Sequence, residues 1–217
     1  FKTINLNDKD IKNFLEKEKI KTKENINSTI PKWQYRYKLY SINADEVMPI
    51  MALSKIKINE KKFDPQVYKY GGAFLYPLGI YYYSLIKLKI IDNVNVKTII
   101  NNKDLIDSIY FHGRLFVLLC FIFSAFILYK SLNLITKKNY AWLLTTVYLV
   151  APSSIMYSQI IKPHWYALLW FNSAIYFLLK YFVKDKDKKN LLIAAVLFGL
   201  TIGSSILFIP AILFIFI

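Results

Sequence analysis

Four long apolar runs fill the second half of this chain, and they limit its fold more than any other feature. Residues 115–129, 141–161 and 165–179 contain no charged side chain, and residues 191–217 continue for 27 positions without one. A helix that crosses a bilayer needs about 20 predominantly apolar residues. The second and fourth runs reach that length directly. The first and third reach it by recruiting flanking Tyr, Trp and Lys, which sit at the interface or snorkel to it. The expected fold is therefore an all-α polytopic membrane protein with helices over about 114–131, 140–160, 164–183 and 191–217. The last run holds Gly203-Ser204-Ser205 and then Pro210. It reads either as one kinked helix or as a short helix followed by the start of another. A backbone break at that depth is tolerated only against protein or a wet cavity.

The charge is distributed to match. The chain carries 29 Lys+Arg against 14 Asp+Glu, a net +15. Nucleic-acid binding is a poor explanation, because the lysines lie beside apolar runs and no zinc-finger or RNA-binding signature is present. Lys130, Lys137 and Lys138 follow the first run. Lys180, Lys184, Lys186, Lys188 and Lys189 follow the third, offset only by Asp185 and Asp187, whereas the connection over 158–164 holds Lys162 alone. The positive-inside rule places the first two loops in the cytoplasm and the third outside. Residues 1–113 then form a large extracytoplasmic loop, preceding a transmembrane segment of 114–217. The single Cys120 excludes a disulfide scaffold.

Within 1–113, residues 1–30 are Lys-rich and read as a solvated surface helix, and Asn27-Ser28-Thr29 is a weak glycosylation sequon. Residues 45–58 read as a helix with Asp45 as N-cap and Val47, Ile50, Met51 and Leu53 on one face. Residues 59–72 read as a loop, with Asp64-Pro65 and Gly71-Gly72. Residues 73–91 are apolar and rich in Tyr. Tyr81, Tyr82 and Tyr83, with an early break at Pro77 and Gly79, favour an interfacial helix. A fifth span there would move residues 1–72 to the cytoplasm.

Soluble-enzyme motifs are missing: no phosphate-cradling Gly loop, no His-x-x-x-His and no CxxC. The chemistry-bearing feature is Asp45-Glu46. Adjacent carboxylates at a helix start suit capping. Placed at the outer bilayer surface, such a carboxylate also suits a general base toward an acceptor hydroxyl, or a ligand for a divalent cation that neutralises a phosphate leaving group. Arg114 suits bidentate phosphate contact or interfacial anchoring. Lys162 and His164 flank Pro163 where they would meet a phosphate or a headgroup. Asp104 and Asp107, one turn apart, read as a solvated face.

The order of Asp45-Glu46, the Met51-Ala52-Leu53-Ser54-Lys55-Ile56 helix, Phe63-Asp64-Pro65-Gln66 and Tyr70-Gly71-Gly72-Ala73-Phe74-Leu75-Tyr76-Pro77 resembles the first extracytoplasmic loop of GT-C glycosyltransferases. Downstream, Gly113-Arg114, Ala151-Pro152-Ser153-Ser154, Lys162-Pro163-His164 and Phe198-Gly199-Leu200-Thr201-Ile202-Gly203 fall in the same order. Residues 36–217 are similar to the protein O-mannosyltransferase and aminoarabinose transferase group, a family-39-like GT-C fold. The resemblance implies an inverting transferase that takes a sugar from a polyprenyl-phosphate donor to an extracytoplasmic protein, lipid or glycan. It implies Asp45 as catalytic base, with Glu46 assisting or sharing a divalent cation. Lys69 and Tyr70 join Arg114, Lys162 and His164 as donor-binding candidates; Lys69 would replace a phosphate-contacting lysine of relatives with Lys-Pro-Pro here. No cofactor beyond that cation is expected, and the partners are the lipid-linked donor, the bilayer and the acceptor. The resemblance places the protein in a bacterial inner membrane. Residue 1 is Phe and the sequence stops inside an apolar run, so a longer protein, with further helices at both ends, is expected. The rival classes are a transporter or flippase, which needs polar groups inside the spans, and a non-catalytic membrane protein.

Overall fold

Proline and serine positions decide where the apolar runs divide. In the computed structural model, which describes residues 43–57, 60–92 and 103–215, the described residues are helical apart from turns and a single bridge between Lys57 and Lys62. All of them belong to one unit, Arg36–Ile217. The expected surface helix and sequon within 1–30 lie outside the described residues.

A 3-10 turn, Ala44–Glu46, leads into α1, Val47–Lys55. Its cap is Asn43, whose Oδ1 accepts from the Asp45 amide at 3.1 Å. Asp45 was expected in that capping role. Asn43, two residues earlier, takes the amide instead and leaves the Asp45 carboxylate for other partners. Helix α2, Gly72–Lys87, has 16 residues, and it runs through Pro77 and Gly79 where a break was expected. Proline removes one helical hydrogen bond, and the fully buried Phe74, Leu75 and Leu78 around it hold the helix together. At about 24 Å α2 is short for a span. Tyr81 packs on Phe116, the Tyr82 hydroxyl donates to the Ile109 carbonyl at 2.7 Å, and Tyr83 is exposed.

Helix α3, Lys103–Ile135, is 33 residues long. The expected boundary at 113/114 therefore falls inside one helix. Nothing between Lys103 and Gly113 stops it, and Gly113 is needed because a Cβ there would overlap the Tyr82 hydroxyl. Asp104 and Asp107 are exposed on its first turns, as expected.

The expected span 140–160 is two helices, α4 at Lys138–Val150 and α5 at Pro152–Ser158. Pro152 pushes Ala151 to φ −56°, ψ 131°, out of the helical region, and then opens the next helix itself. Helix α6, Pro163–Lys180, continues through a π-helical turn, Tyr181–Asp185. Helix α7, Lys188–Ser204, ends at an extended Ser205, and a 3-10 segment, Ile206–Ile215, follows. Of the two readings of the last run, the break is what forms. Among the described residues, two helices, Asp104–Ile135 and Pro163–Asp185, are long and apolar enough to cross a membrane.

Helix α6 lies between α3 and α7. Small residues allow the close approach: Ala174 and Ala194 are buried where α6 meets α7, beside Phe171 and Phe198. Across α3 and α6, Phe116 stacks on Tyr166 at 5.8 Å and Asn172 Nδ2 donates to Ser124 Oγ at 2.9 Å. Ser124 Oγ also meets the Tyr148 hydroxyl of α4 at 3.1 Å.

The break in α7 is closed by protein. The Gly71 amide donates to the Ser204 carbonyl at 3.2 Å, and a Cβ on Gly71 would overlap the Gly203 carbonyl oxygen. Gly71→Ala is therefore expected to pry the α2 entry loop from α7. The predicted readout is a lower melting temperature and faster proteolysis between residues 56 and 72; wild-type behaviour in both would show that the contact tolerates a methyl group.

Candidate functional site

The acidic pair divides its labour because of the turn that carries it. A 3-10 helix has about three residues per turn, so neighbouring side chains point roughly 120° apart. Glu46 points inward, with 1% of its side chain exposed, and Asp45 points outward, with 41% exposed.

Inside, Arg114 of α3 grips Glu46 with both prongs, Nε to Oε1 at 3.0 Å and Nη2 to Oε2 at 2.7 Å. The Ile161 amide, in the α5–α6 connection, donates to the same Oε1 at 3.0 Å. The Arg114 guanidinium also lies over the Tyr110 ring, 5.8 Å from its centroid. A buried carboxylate is retained only when its charge is paired and its oxygens accept hydrogen bonds. Glu46 meets both conditions and ties the outer segment to two distant parts of the bundle.

Outside, each Asp45 oxygen faces one ammonium group. Lys162 Nζ lies 2.9 Å from Oδ2, and Lys69 Nζ lies 3.3 Å from Oδ1. Lys162 is largely buried; Lys69 is exposed and also lies near the Tyr70 ring. The hydrogen bond from Lys162 is the main cause, and that from Lys69 the second, that holds the Asp45 carboxyl below its ordinary range. The Tyr70 hydroxyl donates to the Asp45 backbone carbonyl at 3.3 Å. Burial, then the Asp45 charge, pushes that phenol up to about 12, so it remains a proton donor at neutral pH.

Of the residues expected from sequence, Asp45, Glu46, Lys69, Tyr70, Arg114 and Lys162 therefore form one connected group. His164 stands in the first turn of α6, two residues past Lys162, with its ring edge-on to Tyr157 at 6.1 Å. Arg114 was expected at a phosphate or as an interfacial anchor, and the structure pairs its Nε–Nη2 edge with Glu46. Three contributors were not anticipated. Asn43 had a signal, an Asn immediately before the first helical turn. Tyr110, one turn before Arg114, had a weak one. The Ile161 amide had none, since any residue carries it.

The pair does not fit a divalent cation. Both Glu46 oxygens are occupied, the two carboxylates diverge, and no group of three or more His, Cys, Asp and Glu that would hold a metal occurs among the described residues. The arrangement instead offers one ionised, half-exposed carboxylate flanked by two primary ammonium groups that suit a phosphate.

The family model described as dolichyl-phosphate-mannose-protein mannosyltransferase matches residues 69–217, more than half of the chain. Lys69, Tyr70, Arg114, Lys162 and His164 lie inside the matched region, and Asp45 and Glu46 lie upstream of it, joined to it by the contacts above. No curated protein and no solved structure matches the chain. The match bears out the glycosyltransferase resemblance, and the chain belongs to the dolichyl-phosphate-mannose-protein mannosyltransferase family of integral-membrane glycosyltransferases.

Proposed function

We propose that the protein moves a hexose, mannose by its family, from a polyprenyl-phosphate donor to a hydroxyl of an extracytoplasmic acceptor, with inversion at the anomeric carbon. The observation that carries this reading is the Asp45 carboxylate held between Lys162 and Lys69. In the proposed step, Asp45 takes the acceptor hydroxyl proton while the acceptor oxygen forms its bond to the anomeric carbon. The carbon–oxygen bond to phosphate breaks on the opposite face, and its electron pair leaves with the polyprenyl phosphate.

The two lysines have a double use in this scheme. Before donor binds, they neutralise Asp45 and make it a weak base. A donor phosphate arriving between them draws the ammonium groups away from the carboxylate, and Asp45 gains basicity when an acceptor needs it. The lysine-rich loops after α3 and α6 support a multi-pass topology with Asp45 outside the cytoplasm.

The direct test is to incubate membranes containing the full-length protein with polyprenyl-phosphate mannose and follow release of the polyprenyl phosphate. Turnover supports the reading; none with dolichyl or undecaprenyl donors of mannose or other hexoses overturns it. The pH profile of kcat/KM, which reports the free enzyme, tests the resting pairing of Asp45 with its lysines. The free carboxylate's range is depressed, so the ionised form persists as pH falls and is lost only at low pH; the acid limb of kcat/KM is expected below the ordinary carboxylate range. Lys162→Met removes the largest cause of the depression, so the limb should move to higher pH. An unmoved limb would separate Lys162 from the base.

A further inference from the structure

The end of the bundle remote from Asp45 carries a second charged feature that sugar transfer does not use. Helices α3 and α6 run in the same direction, since Phe116 meets Tyr166 and Ser124 meets Asn172. Their C-terminal ends therefore lie at the same face. Arg114 to Ile135 is roughly 32 Å along α3, and Pro163 to Lys180 is roughly 26 Å along α6. Both are close to the hydrocarbon thickness of a bilayer, about 30 Å. The loops after these helices consequently lie at the opposite membrane face from the Asp45 site.

Eight lysines gather there: Lys130, Lys137 and Lys138 from the α3–α4 side, and Lys180, Lys184, Lys186, Lys188 and Lys189 from the α6–α7 side. All but Lys180 are exposed. The two acidic residues of these loops are engaged locally. Asp185 pairs with Lys180 at 3.6 Å, and Asp187 caps α7 by accepting from the Lys189 amide at 2.9 Å. The first turns of α4 and α7 add to the positive field. Exposed apolar side chains stand among the lysines: Ile135, Tyr140 and Trp142 on one side, Phe182 and Val183 on the other. Lysine interleaved with aromatic and aliphatic groups suits a headgroup layer, where the ammonium meets phosphate and the apolar part enters the acyl boundary. A soluble polyanion without apolar surface of its own would leave those apolar groups in water.

We infer that the α3–α4 and α6–α7 loops together form a docking surface for the anionic phospholipid headgroups of the leaflet opposite Asp45. The inference rests on the membrane placement of α3 and α6, not on the transfer chemistry. A juxtamembrane lysine favours an anionic surface by up to about fivefold, so removing four is expected to erase most of a preference for anionic lipid.

The test is lipid selectivity of the full-length protein in phosphatidylcholine vesicles containing trace spin-labelled phosphatidylglycerol or phosphatidylcholine, read as the motionally restricted fraction. Wild type is expected to prefer phosphatidylglycerol, and the preference should fall as salt rises. The combined variant Lys184→Gln, Lys186→Gln, Lys188→Gln and Lys189→Gln should lose most of it, while the matching Lys→Arg variant should keep it. Equal restriction of both lipids by wild type, or undiminished preference in the glutamine variant, would overturn the proposal. So would competition by a soluble polyanion that equals phosphatidylglycerol at physiological salt. Polyprenyl-phosphate turnover is scored separately in the same vesicles, so failure of the lipid preference and failure of the transferase reading give different results.

Discussion

Asp45→Asn is expected to lower sugar transfer by about 10²–10⁴-fold, the usual contribution of a positioned general base. The amide keeps the size of the side chain and cannot take the acceptor proton. Its effect on donor binding should run the other way. Lys162 and Lys69 no longer have a carboxylate to neutralise, so both become available to the donor phosphate. The KM for donor is therefore expected to hold steady or fall while kcat collapses. A fall in kcat together with KM marks the loss of a ground-state competitor. Initial rates over a range of donor concentration, at matched protein level, check both parts. Turnover equal to wild type would remove Asp45 from the chemistry.

Glu46→Ala should behave differently, as a structural lesion. Removing one member of a buried ion pair strands the other and costs about 3 kcal/mol, the lower end of the usual range because Arg114 is partly exposed. For a chain of this size that corresponds to a melting point lower by about 6–12 °C. The loss should be reduced in Glu46→Leu combined with Arg114→Met, where neither charge remains. Melting curves of the detergent-solubilised variants decide the matter. A Glu46→Ala protein that melts like wild type yet fails to turn over donor would place Glu46 in the reaction itself.

The sequence made the long helices readable, because apolar runs in α3 and α6 have a single solution in a bilayer. It also contained the division of the 140–160 run, since the residue before a proline is steered out of the helical region. Length alone concealed that division. The break after Ser204 was readable only as one of two outcomes, because what favours it is the Gly71 amide more than 130 residues earlier in the chain. In the site, the residue types were visible and their pairing was not. Arg114 beside a membrane surface reads equally as a phosphate clamp or an anchor. Its actual partner, Glu46, lies 68 residues away. The different fates of Asp45 and Glu46 depend on a 3-10 turn, whose 120° step no local pattern of charge reveals. The polar groups that a transporter would need do occur within the spans, at Ser124, Tyr148 and Asn172. They are bonded to one another and so serve as helix–helix contacts.

The bonds at Glu46 also set an order of assembly. During synthesis the Glu46 carboxylate leaves the ribosome first, Arg114 follows 68 residues after Glu46 and Ile161 follows 115 residues after Glu46. At translation speeds of about 5–20 residues per second, those intervals are on the order of seconds to tens of seconds. Throughout them Glu46 lacks its full set of hydrogen-bond donors, and Asp45 lacks the ammonium group of Lys162, the residue next to Ile161. Placement of the α5–α6 connection therefore completes the partners of both carboxylates at once: a nascent chain halted before it can pair Asp45 with Lys69 and Glu46 with Arg114, and lacks Lys162 and the Ile161 amide.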